Sequence, residues 1–253
     1  MEVHHHPHPE KKSWREYILE FLMIFLAVTM GFFAESIREH VNDRAKETEF
    51  MRSMIEDLKA DTAEAHKRSE TFTSICRILD SMLTCLKNDA PNPAIISRLV
   101  SENFWPYSGY SYNNRTVQQL KNAGNFRLIR NNTVADSILK YDNLINTIML
   151  TQYSDLKNTM YAYKEVESKV VHYSDMEWTR DKYVLSNFDS SDFRQNIQPS
   201  FISRDKALIS QYYNRLFIHE ALAHTFTANM KYSGVRAASL IRLITKEYNL
   251  EDE

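Results

Sequence analysis

An all-α fold is predicted for this chain of 253 residues, and three observations carry the prediction. Glycine and proline are scarce, with four Gly and six Pro, where average usage would give roughly three times as many glycines. Neither occurs in 32–90, 125–198, 200–233 or 235–253. Hairpins and phosphate-binding loops need glycine at positive φ, so β-rich and nucleotide-binding folds lose ground. The second observation is one long apolar run near the N-terminus. The third is the recurrence of apolar residues at steps of three and four elsewhere, the period of a helix face. Hydrophobic residues make up 43% and charged residues 25%, enough for a packed core. The net charge of −2, from 31 basic and 33 acidic residues, leaves no electrostatic footprint for nucleic acid.

The apolar run spans Tyr17 to Ile37. Its uncharged core, Phe21 to Ala34, is 14 residues long, short of the roughly 20 that a bilayer requires. With its flanks the run reaches about 31 Å at the helical rise. Glu20 and Glu35 then fall at its two rims, where a carboxylate reaches the headgroups. Trp14 and Tyr17 mark one boundary beside Lys11, Lys12 and Arg15, in the manner of an aromatic belt. A buried core helix and a cleaved signal peptide, with Ala34 and Ser36 as the small residues, are the rival readings. Phenylalanines on every face speak against the core helix. A single transmembrane helix is the expectation. Basic residues flank both ends (Arg38, Arg44, Lys46 and Arg52 on the far side), so the positive-inside count does not orient it. A short tail inside and a large domain outside is the simpler topology.

The transmembrane helix is expected to run on as a stalk, because no proline occurs between Pro9 and Pro91. Phe50, Met54, Leu58, Ala65, Phe72, Ile75, Leu79, Met82 and Leu86 form a stripe for packing on other helices. Asn88-Asp89-Ala90-Pro91-Asn92-Pro93 is a stop signal. A short helix about 94–102, an irregular stretch 104–112, a helix near 115–122 and a turn at Asn122-Ala123-Gly124 follow. A long helix over about 133–173 and a last helix over about 203–248 complete the chain. In the last, Ile209, Tyr212, Leu216, His219, Ala223, Phe226 and Met230 make a heptad seam. The predicted organisation is a His-rich tail (1–12), a transmembrane helix (13–38), a stalk helix (39–90) and a helical extracytoplasmic domain (91–253), built as an up-down bundle. Cys76 and Cys85 lie roughly 13 Å apart along one helix, too far for an intrahelical disulfide.

The block HHHPHPEKKSWREYILEFLMIFLAVTMGFFAESIREH resembles the N-terminus of an uncharacterised family of single-pass membrane proteins from Bacteroidota. The stretch from Leu120 to Asn131 resembles the soluble part of the same family. The resemblance implies an inner-membrane anchor, a cytoplasmic N-terminus and a periplasmic helical domain. It implies no activity.

Four groups of residues are candidates for function. His4, His5, His6 and His8 have the composition of a transition-metal site, set against an unstructured polar tail or a tag. Glu20 and Glu35 are ionisable residues in a membrane span, where they are costly. They suit acidic rings of a homo-oligomeric pore, polar contacts between protomers, or simple snorkelling, with Glu35 pairing to Arg38. Phe104, Trp105, Tyr107, Tyr110 and Tyr112 form an aromatic loop, either a partner-binding surface or the cap of a bundle. His219 and His224 nearly spell a zincin helix, but five residues rotate them by about 140°, so zinc hydrolase chemistry is rejected. The carboxylates along 47–64 and 163–181 alternate with Lys and Arg and read as solvated faces. No P-loop, dinucleotide fingerprint, CxxC or nucleophile elbow is present.

The expected function is a non-enzymatic, membrane-anchored, homo-oligomeric scaffold with an envelope protein partner, embedded in lipid and without a required cofactor. The alternative is an oligomeric ion-conducting or metal-handling protein that uses Glu20, Glu35 and the histidine tail.

Overall fold

The structure, a computed structural model, describes residues 13–103, 112–176 and 200–250. Among the described residues stand six α-helices: α1 (Trp14–Leu86), α2 (Pro93–Glu102), α3 (Arg115–Asn122), α4 (Asn132–Thr147), α5 (Tyr153–Glu167) and α6 (Lys206–Tyr248). The fold is all-α, as the glycine-poor composition predicts. An isolated bridge between Val171 and Phe201 is the one β feature among the described residues. The chain divides into two compact units, Met1–Phe50 and Met51–Glu253. The second begins inside the segment read from sequence as the stalk.

In the first unit, α1 starts with half of a capping box: the Glu16 carboxylate accepts the Ser13 amide at 3.0 Å. That bond satisfies a backbone donor the helix itself leaves orphaned. A window of 18 residues in this helix is apolar enough to cross a membrane, and none of it is buried. Phe21, Phe25, Phe32 and Phe33 are all exposed, so the apolar surface goes round the helix instead of lying on one face. Thr29 directs its hydroxyl to the Phe25 carbonyl at 2.7 Å, which internalises the polar group of an otherwise apolar stretch.

In the second unit, the residues of α1 from Met51 onward form one wall of the core. Met54, Leu58, Ala65, Phe72, Leu79, Met82 and Leu86 of the predicted stripe are buried, while its Phe50 and Ile75 are only half-buried. The buried ones face α6. Phe72 meets Phe226 with ring centroids 4.7 Å apart, and Ala65 lies opposite Gly234. Higher numbers on α1 meet lower numbers on α6, so the two run antiparallel. The predicted seam of α6 turns inward from its second member: Tyr212, Leu216, His219, Ala223, Phe226 and Met230 are all buried, while Ile209 is only half-buried. The same helix packs on α4 and α5; beside those contacts, Asn229 donates to Gln152, just before α5, at 2.9 Å, and Asn131, the cap of α4, donates to Glu247 at 2.7 Å. It is antiparallel to them also.

The predicted stop at Pro91–Pro93 doubles as a start. Asn92 caps α2 by accepting the Ala94 amide at 2.9 Å, and Pro93 occupies the first helical position, where no amide is needed. Gly124 takes φ 64°, the left-handed conformation that the turn after α3 requires. The single helix expected over 133–173 differs in two ways. A π-helical turn, Ile148–Gln152, joins α4 to α5, and α5 ends at Glu167. Beyond it, Ile202 donates its amide to the Val170 carbonyl at 2.8 Å, beside the Val171–Phe201 bridge. Backbone groups that another helical turn would have used are taken by a distant segment instead.

Candidate functional site

The histidines His4, His5, His6 and His8 lie outside the described residues, as do Phe104, Trp105, Tyr107 and Tyr110. Tyr112, the last of the aromatic loop, is described and has a structural bond: its hydroxyl donates to Asp142 at 2.9 Å. Asp142 also receives the Lys121 ammonium, so Tyr112 and α3 are tied to α4 through one buried carboxylate. Burial, then Asp142, raise the Tyr112 phenol above its ordinary range.

Glu20 and Glu35 both lie on the exposed surface of α1. Glu35 is paired along its own helix: both of its carboxylate oxygens accept from the Arg38 guanidinium. A fork-to-carboxylate pair of this kind neutralises the acid three residues from its partner. Glu20 and Glu35 are 15 positions apart in the chain, about 22 Å along the helix, and the two do not meet.

The carboxylates read as solvated faces require correction. Asp57, Asp61 and Glu167 are buried, because distant elements supply their hydrogen-bond donors. Asp57 caps α3 from outside: it accepts the Thr116 amide at 3.0 Å and the Thr116 hydroxyl at 2.6 Å, with Arg115 at 3.1 Å. The N-cap residue of α3, Asn114, makes no side-chain cap of its own, so α1 supplies the anion that the helix start favours. One turn on, Asp61 accepts the Asn113 amide at 2.8 Å and the Tyr141 hydroxyl at 3.0 Å. Burial pushes the Asp61 carboxyl up to about 6, against the lowering effect of those two donors.

Glu167 anchors a second polar layer between α2, α5 and α6. It accepts from Tyr212 at 2.6 Å and from Tyr173 at 2.8 Å, with the Lys164 ammonium 3.9 Å away. Burial raises Glu167 and lowers Lys164, each partly restored by the other's charge. Lys164 also donates to the Asn103 carbonyl at 3.2 Å, which fixes the end of α2. His219 sits beside this layer, 3.0 Å from the Thr159 hydroxyl and tilted against the Tyr163 ring. Burial, then the Lys164 charge, lower its pKa to about 3, so it is a neutral imidazole at ordinary pH. It belongs to the core, as its place on the seam implies.

His224 has a different role. It projects from α6 four residues after Glu220, and its Nε2 lies 3.1 Å from Glu220 Oε1. Across the helix pair, the same nitrogen is 3.3 Å from Asp80 Oδ1 on α1. The ligand atoms of Asp80, Glu220 and His224 all fall within 4.8 Å of one another. Glu220 is also hydrogen-bonded to Asp80, and burial followed by that bond raises its carboxyl. Sequence reasoning compared His219 with His224 and rejected the pair for good reason. The usable signal was the Glu220-x-x-x-His224 spacing, which shares a face; its third member is remote in the chain and invisible to any local pattern.

No family model, curated protein or solved structure matches this chain, so the site is read from its own geometry.

Proposed function

We propose that this chain is a membrane-anchored, non-enzymatic scaffold that assembles with copies of itself and presents its helical domain to an envelope protein. One observation carries the reading. A single helix, α1, holds both an apolar window with none of its surface buried and the buried stripe Met51 to Leu86 of the second unit. An apolar surface that encircles a helix has no aqueous solution to its exposure, whereas lipid accommodates it on every side. The same covalent helix then links the lipid phase to a packed domain.

The domain side of the proposal is supported by α6. Phe217, Ile218, Tyr232 and Val235 are each at least half exposed. At 100° per residue they fall within about 100° of one another, roughly opposite the buried seam. Aromatic and aliphatic residues in this arrangement are suited to receive a partner surface. The topology we adopt places the short N-terminal tail in the cytoplasm and the helical domain in the periplasm.

Alkaline extraction and crosslinking in membranes test the reading together. The chain should remain with the lipid pellet and yield crosslinked species larger than one protomer. Release into the aqueous phase, or a strictly monomeric crosslinking pattern, would overturn it.

A further inference from the structure

The Asp80–Glu220–His224 cluster has more acceptors than its own protons can serve. A single imidazole N–H has one direction, yet His224 Nε2 has carboxylate oxygens at 3.1 Å and 3.3 Å. The two carboxylates, one from α1 and one from α6, converge on that imidazole, their ligand atoms within 4.8 Å of one another. A cation placed among the three would satisfy them all at once.

The spacing suits such an ion. Metal–nitrogen and metal–oxygen bonds of about 2.0–2.2 Å set neighbouring ligands of a tetrahedron about 3.3–3.6 Å apart. Both histidine–carboxylate separations lie near that edge length. The widest separation in the cluster is within 4.8 Å, and the Asp80 side chain is half exposed, which leaves it room to move toward an ion. The donor set, one imidazole and two carboxylates, matches borderline first-row divalent ions better than the hard alkaline earths, which favour oxygen alone. His224 and Asp80 are each half exposed, while Glu220 is only 16% exposed. An ion therefore has an open approach and one well-shielded ligand. Cys76, a turn before Asp80, is buried, and its Sγ lies 3.7 Å from the Thr227 hydroxyl, so it is engaged in the core and is not counted as a ligand.

We propose that Asp80, Glu220 and His224 bind one divalent transition cation, with water completing its shell, and so clasp α1 to α6. Asp80 lies 140 residues before Glu220 and 144 before His224 in the chain. Such a site exists only in the folded domain, and binding must stabilise that domain by mass action.

Zn²⁺ is the probe, used on the full chain in detergent with His4, His5, His6 and His8 replaced by alanine to remove the competing tail. Titration should reach one Zn²⁺ per chain and raise the thermal midpoint by about 5 °C at a hundredfold excess over Kd. EDTA should reverse the rise, and Co²⁺ should give the visible d–d bands of a mixed nitrogen and oxygen shell. His224→Ala and Asp80→Asn should each weaken Zn²⁺ binding more than tenfold while circular dichroism stays unchanged. The proposal is overturned by the absence of a Zn²⁺-dependent shift in the tail-free chain, by unaltered affinity in both variants, or by an equal shift with Mg²⁺. Should either variant fail to fold, the EDTA-reversible shift and Co²⁺ spectrum of the tail-free chain decide alone.

Discussion

The two parts of α1 are one helix built to two different rules. Between Trp14 and Ile37 the large apolar residues are exposed on every side, and the acids are confined to Glu16, Glu20 and Glu35. Between Met51 and Leu86 the apolar residues form a stripe, and two acids on the same stretch, Asp57 and Asp61, are buried. Helix propensity does not separate the two stretches. What separates them is the distribution of apolar surface around the axis: a full ring suits lipid, while a stripe demands another helix. Acids follow the same logic. In the first stretch an acid is tolerated at the rim, paired along its own helix; in the second it is tolerated in the interior, where another element brings donors to it.

The largest test of this contrast is Phe72→Ala. Phe72 is 2% exposed and packed at a tilt against the Phe226 ring, so removing it should cost about 3–5 kcal/mol of domain stability. Thermal unfolding should reveal that loss, and membrane association should remain intact. Leu26→Arg is the converse. A charge at the centre of the apolar run should cost about 3 kcal/mol of insertion free energy. The chain should shift from pellet to supernatant while the domain keeps its thermal midpoint. If both properties moved together in either variant, the two rules would not be independent.

Asp61 sharpens the interior half of the comparison through pH. Its folded pKa is about 6, against an ordinary value of 3.8, so the folded state holds the proton more tightly. The associated stability is present below about pH 4 and is lost as pH rises through 6, by at most about 3 kcal/mol. Asp61→Asn keeps an acceptor for Asn113 and Tyr141 and removes the titration. Its stability should therefore vary less between pH 4 and pH 6 than that of the parent chain, as urea unfolding at each pH would show. An undiminished slope would assign the effect elsewhere. The smallest effect belongs to Glu35→Gln. Glu35 has a partner in Arg38 at the exposed end of the apolar run, and the domain midpoint should shift by no more than about 1 °C. A larger shift, or altered conductance across a bilayer, would give Glu35 a role beyond its local pair.

Much of the fold was legible because local chemistry marks it. The Asn92-Pro93 start, the glycine turn at Gly124 and the seam from Tyr212 to Met230 each depend on residues a few positions apart. The end of α5 was not legible, since Val170 and Val171 have their partners in Phe201 and Ile202. The buried acids were misread for the same reason. Glu56-Asp57-Leu58-Lys59 looks like a solvated face until the start of α3 is placed over it.

Of the site, only the Glu220–His224 half was open to a sequence reading. Their four-residue spacing puts them on one face, but nothing along the chain points to Asp80. By itself, then, the sequence determined the class of fold, the apolar helix, the start of α2, the turn after α3 and the face of α6 that turns inward. All of these follow from periodicity and capping, which act over one or two turns. Only the tertiary structure decided which acids are buried, which histidine is neutral in the core, and which three ligands converge. Those outcomes depend on donors and charges brought together from positions as far as 144 residues apart, a range at which no local pattern survives.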